Sequence, residues 1–305
     1  MKKILKENFI AIFIFLILSI IVVHACLTTN NNFNSLRQRI EKKKSECVEV
    51  LNDKSNYTDD HVNYCKEMEN SLGANDIDIY TYLQEVLFFG LYWFNPIAFL
   101  VAVIPMLYTL SKKFRYKYII NVNNRESYKN FKKEIFKDGY KYFWIIPALL
   151  LIIFINGIIF YKLDYHYTVE YMTSAWYDSS LIYNPIVFLA LFFIYILLLN
   201  FTYINMGLIV VRKVHKFFPA VLVSYIFCIS VQLFLELILK NLCLILFKSE
   251  IGYAFNIMSP LSFNINFGEA PIMLFALFAF IISSTVVAMC YKNKEKLIVA
   301  CEKNE

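Results

Sequence analysis

The chain has 305 residues, of which 59% are hydrophobic and 18% charged, and its formal net charge is +6. Soluble domains run at roughly 25% charged residues, so the two soluble domains that this length would otherwise allow are excluded in favour of a polytopic membrane protein. Seven cysteines without a C-x-x-C pair exclude a zinc ribbon or a dithiol redox motif, and the position of the basic charge accounts for it without a nucleic-acid partner.

MKKILKEN is a short basic start, and Phe9–Leu27 follows with only Ser19 and His24 as polar interruptions. About 20 such residues cross a bilayer. A secretory signal begins in the same way, but His24 fits a cleavage box poorly, so the segment is read as the first span. Residues 28–82 are polar, with seven Lys/Arg against ten Asp/Glu, and predict a small helical hairpin outside the membrane. Leu36, Ile40, Cys47 and Leu51 form the sparse apolar stripe of its first helix. Thr58 suits the N-cap of the second, with Asp59 and Asp60 in its first turn. Val62, Cys65, Met68 and Leu72 form that helix's stripe, and Gly73 suits its end. Cys47 and Cys65 fall at similar heights on the two helices. A disulfide is therefore expected there, with two buried free thiols as the alternative.

Five further spans are expected at 86–110, 143–161, 181–211, 217–239 and 271–291. Prolines at 96, 105, 147 and 185 predict kinks. Between the second and third spans, residues 111–142 carry ten Lys/Arg against three acids. Here Tyr128, Phe131 and Ile135 recur at helical spacing beside Phe136, which predicts an amphipathic helix over 124–138. The segments expected inside hold far more Lys/Arg than the short ones expected outside, so both termini and the basic region should be cytoplasmic. The expected fold is all-α, with six transmembrane helices and the helical ectodomain between the first two.

In the fifth span, Gln232, Glu236 and Lys240 share one helix face. Glu236 lies about 28 Å along the axis from Phe217 at ~1.5 Å per residue, near the outer interface. Either it closes the span as an interfacial Glu–Lys pair, or Gln232 and Glu236 form a polar patch in a substrate path. Residues 243–270 are too apolar for an ordinary loop and too interrupted to span, which predicts a re-entrant or interfacial segment on the outer side.

Catalytic patterns are missing. The sequence has no G-x-x-x-x-G-K-[ST], H-E-x-x-H or G-x-S-x-G. Its four histidines, at 24, 61, 166 and 215, lie in separate segments, so no metal site, cofactor or enzymatic activity is expected.

Six spans, a basic loop between the second and third, and an apolar outer segment before the sixth resemble an ABC-2 type transporter permease. Locally, Asn124–Phe131 (NRESYKNF) resembles a segment of bacterial permeases of that type, with Arg125, Ser127 and an aromatic at Phe131, where the family more often has Tyr. The resemblance implies a transmembrane subunit without catalytic residues. It implies a separate ATP-binding subunit, a second permease chain, and export of amphiphilic or peptide-like cargo. Asn124, Arg125, Ser127, Tyr128, Phe131 and Ile135 are then the expected contact with the ATPase, and basic residues such as Lys129, Lys132 and Lys133 the expected contact with anionic lipid. The rival readings are a sensor or immunity-type protein acting through its ectodomain, and an intramembrane enzyme.

Overall fold

The computed structural model describes residues 2–52, 57–70, 77–114, 127–163, 180–181, 183–248, 250–263 and 268–292. Among these, the regular structure is helical, and six helices are long and apolar enough to cross a membrane.

Helix α1 runs unbroken over Lys2–Asn52. The expected separate hairpin helix is therefore a direct continuation of the helix of the first span. No glycine or proline occurs in those residues, so the polar stretch at 28–32 has no backbone reason to break. Helix α2, Asp59–Asn70, folds back on α1. Val62 and Cys65 of α2 pack with Cys47 and Val50 in a small cluster separate from the main core. Cys47 and Cys65 are joined by a disulfide, with Cα atoms 5.0 Å apart. Leu72 and Gly73 lie outside the described residues.

The expected hairpin boundary at 82 is too late. Asp78 caps α3, Ile79–Gln84, by accepting from Thr81 N at 2.7 Å. Ile79, Tyr80, Tyr82 and Leu83 of that helix are buried in the main core. Ile79 N also donates to Lys162 O at 3.0 Å, so the returning chain is fastened to the end of the third span.

The run expected as one span over 86–110 is two pieces. A π turn, Glu85–Gly90, and a 3-10 turn, Tyr92–Phe94, precede α4, Asn95–Lys113. Pro96 lies in the first turn of α4, where a missing N–H costs nothing, and it cannot continue a helix from residues 86–91. Helix α5, Tyr128–Tyr140, is capped by Ser127 and followed by α6, Ile145–Phe160. Helix α7 is Pro185–Val211, starting at its own proline rather than at 181.

Helix α8, Phe217–Phe234, passes through a π turn, Leu235–Leu239, into α9, Lys240–Phe247. Residues 243–247 thus extend the fifth span instead of opening the irregular segment, which occupies 250–263. Helix α10 is Glu269–Cys290.

Helix α7 is the centre: α4, α6, α8 and α10 all pack on it. Its approach to α4 depends on Gly207, where a Cβ would sit 2.4 Å from Met106 Cε and 2.7 Å from Val103 Cγ1.

Candidate functional site

Residues 250–263 hold only two 3-10 turns, Glu250–Ala254 and Pro260–Ser262, and none of those whose burial is defined is exposed, so their N–H and C=O groups need partners. Side chains from three helices supply them. Gln232 of α8 accepts from Ile257 N at 2.8 Å, and Tyr203 of α7 donates to Ile257 O. Asn95 of α4 accepts from Leu261 N at 3.0 Å. Within the segment, Asn256 Oδ1 accepts from Met258 N and Ser259 N at 2.8 and 3.0 Å.

Phe263 ends the segment with φ +36°, a left-handed conformation costly for a side chain this large. It is fully buried and stacks on Phe192 at 4.6 Å, with Phe188 and Tyr195 beside it. Burial of an aromatic side chain on this scale offsets a local strain of about 1–3 kcal/mol.

Gln232 Nε2 donates to Glu236 Oε1 at 2.6 Å. The amide of Gln232 therefore holds the segment with one end and Glu236 with the other. Glu236 itself is exposed on the helix surface. Gln232 and Tyr203 together clamp residue 257, and Glu236 braces the amide of Gln232.

Beside this clamp lies a cavity of about 520 Å³. Met206 forms part of its floor on α7, and Val231 of α8 with Leu235 of the π turn that follows forms one wall. Leu274, Phe278 and Ile282 of α10 form the other, while Phe255 and Ile257 contribute from the irregular segment. The lining is apolar except for Thr202 and Ser283. Phe234, Leu274, Phe278 and Ile282 are each more than half exposed, so the cavity opens sideways between α8 and α10.

At the other end of the bundle, α5 is built into the fold. Phe131 and Ile135 are 1% and 0% exposed, so the apolar face expected to meet a partner faces the chain's own core. Tyr128 donates to Tyr291 O at 2.9 Å, and Phe136 packs edge-on against the Tyr291 ring. Glu134 and Asp138 turn to Lys113 of α4, at 3.1 and 2.7 Å. Tyr140 donates to Asn205 Oδ1, and Asn205 Nδ2 donates to Ser283 Oγ at 2.9 Å and Ser284 Oγ at 3.0 Å. What α5 leaves exposed is Ser127, Lys129, Asn130, Lys133 and Lys137. The three lysines recur at i, i+4 and i+8, so they line one edge. Asn124 and Arg125 lie outside the described residues.

In the turn that leaves α7, His215 stacks on Phe114 at 5.5 Å and bonds Arg212 O at 2.9 Å. Burial lowers its pKa and the bond to Arg212 O opposes that shift, which favours the neutral ring. Among the described residues, no cluster of three His, Cys, Asp or Glu could hold a metal ion.

Asn95, Tyr203 and Asn205 are the functional candidates that spacing alone misses. The signal for the two asparagines is their presence in otherwise apolar runs, since a buried amide demands a partner. No family model matches the sequence, and comparisons with curated proteins and with solved structures found no match.

Proposed function

We propose that this chain is the permease subunit of an ABC-type transporter, a multi-pass protein of the cell membrane that exports amphiphilic or peptide-like cargo. The disulfide-tied hairpin lies outside, and both termini and α5 lie in the cytoplasm. A separate ATP-binding subunit supplies the energy, and a second permease chain completes the pathway. The chain contributes no catalytic group or cofactor.

The observation that supports this reading best is how α5 is joined to the rest. Its inner face is fixed by Lys113 to α4, by Asn205 to α7 and by Tyr291 to the residue that ends α10, and its lysine edge is exposed. Through Tyr140, Asn205 and Ser283, a displacement of α5 reaches the two helices α7 and α10 that border the cavity. A soluble ATPase with an acidic contact surface would engage Lys129, Lys133 and Lys137 by charge complementarity.

The test is whether a P-loop ATPase co-purifies with this chain from its native membrane. Lys129→Glu, Lys133→Glu and Lys137→Glu together should abolish co-purification and stimulated ATP hydrolysis, with insertion and thermal stability unchanged. Retention of a fully active complex by the triple variant would overturn the coupling role of α5.

The hairpin favours a second reading, a sensor or immunity-type protein. Helix α2 is tied by a disulfide to a helix continuous with the first span. A ligand captured by the hairpin in a preparation with no ATPase, together with a biological response, would favour it.

A further inference from the structure

The sideways-opening cavity between α8 and α10 has a shape that restricts its occupant. On α10 it is lined from Pro271 to Val286, a length of ~22 Å at ~1.5 Å per residue. The empty space there, about 1330 Å³ even with the open side counted, is less than the ~1,700 Å³ that a helix ~10 Å across fills over ~22 Å. A transmembrane helix of a second copy therefore does not fit, whereas a single extended chain does.

The lining restricts the chemistry further. The hydroxyl of Thr202 donates to Leu198 O at 2.9 Å. The hydroxyl of Ser283 donates to Phe280 O at 3.0 Å and accepts from Asn205 Nδ2. Both hydroxyl protons of the wall are engaged, so among the described lining residues no side-chain donor is left for a polar ligand. Its open side is bordered by Phe234, Leu274 and Phe278, all exposed. In a bilayer those side chains face hydrocarbon, and the medium beside the opening is acyl chain.

We propose that the slot between α8 and α10 is a binding site for one acyl chain of a membrane phospholipid, which enters sideways from the bilayer. The inference rests on the membrane-spanning part of the proposed function and is independent of any ATPase partner. The slot is elongated along α10 and apolar along its length, so it selects an extended alkyl tail. Its volume lies within the roughly 300–1,000 Å³ range of ligand pockets.

The test uses the full chain in phosphatidylcholine vesicles doped with a phosphatidylcholine that carries a diazirine midway along one acyl chain. After irradiation, adducts are mapped by peptide mass spectrometry. The outward face of α1 (Phe13 and Ile20, both exposed) reports ordinary lipid contact and correct insertion. The floor residue Met206 is 4% exposed and is reached only from inside the slot. The expected result is labelling of Met206 and Val231 at least as strong as labelling of Phe13 and Ile20. Ala279→Phe, which fills the slot, should reduce the Met206 adduct several-fold and leave the α1 adducts unchanged. No adduct at Met206 or Val231 despite normal α1 labelling would overturn the proposal, as would an Ala279→Phe pattern identical to wild type. Loss of α1 labelling as well would show that the chain does not cross the bilayer, which refutes the parent reading instead.

Discussion

Asn205 has no accessible surface and bonds to side chains on two other helices, Tyr140 on α5 and Ser283 and Ser284 on α10. Interhelical hydrogen bonds inside membrane proteins are worth about 0.6 kcal/mol on average, with a maximum near 1.7. Asn205→Leu should therefore lower the unfolding free energy by about 1–2 kcal/mol, read as a lower midpoint of thermal unfolding in detergent. Tyr140→Phe in the same background should add less than it does alone, because both substitutions break one network. Gln232→Leu makes a different prediction. It leaves Ile257 N–H without its acceptor, so amide exchange should accelerate across 256–263 and stay unchanged in α7. Faster exchange spread evenly over the bundle would mean that Gln232 serves general packing instead of the segment. The pairing of Gln232 with Glu236 was legible from their spacing. The role of Gln232 was not, since its partner lies 25 residues further on and is a backbone amide.

The elements divide in how openly the sequence declares them. Helix α5 was legible from the recurrence of Tyr128, Phe131 and Ile135, but the direction of that stripe was not. Periodicity shows that a helix has an apolar face, while the surface it meets depends on where α4 and α7 bring Lys113 and Asn205. The two faces of α5 should accordingly respond to mutation in different ways. Phe131→Ala should cost about 3–5 kcal/mol as a buried aromatic truncation, so any effect on a partner comes through folding. Single Lys→Glu changes on the exposed edge should stay within about 0.5 kcal/mol. Helix α2 relies on a smaller cluster. The disulfide between Cys47 and Cys65 closes a loop with a sequence separation of 18, worth about 3 kcal/mol in the chain-entropy model. Reduction should expose residues 59–66 to exchange and proteolysis while α4, α6 and α7 keep their protection. Equal protection of α2 before and after reduction would mean that the apolar cluster alone holds the hairpin. The unbroken α1 was legible in hindsight from the lack of glycine and proline over 2–52, whereas its polarity change at 28 resembles a boundary.

For the molecule as a whole, six apolar runs of spanning length were plain in the sequence because such runs have few other uses. The slot was not, because a shortfall of volume between α8 and α10 arises from how both helices lean on α7. Cysteines substituted at the exposed positions Lys137 and Lys216 should react with a membrane-impermeant maleimide only after lysis. Those at Val48 and Asn241 should react in intact cells. Labelling of Lys137→Cys from outside would invert the orientation and with it the side on which a soluble ATPase could bind.

Helix α1 is a rod of 51 residues, ~76 Å long at ~1.5 Å per residue. It is gripped at Asn30, which accepts from Tyr161 at 2.6 Å and donates to Asn156 at 3.3 Å, and the far end at Asn52 stands ~33 Å beyond that grip. This is the geometry of a lever with its fulcrum at Asn30. A tilt of ~5° about Asn30 carries the tip through ~3 Å and swings the buried arm the opposite way by a comparable amount. Anything that pulls on the hairpin therefore also pushes on the bundle, with no hinge in between to absorb the motion.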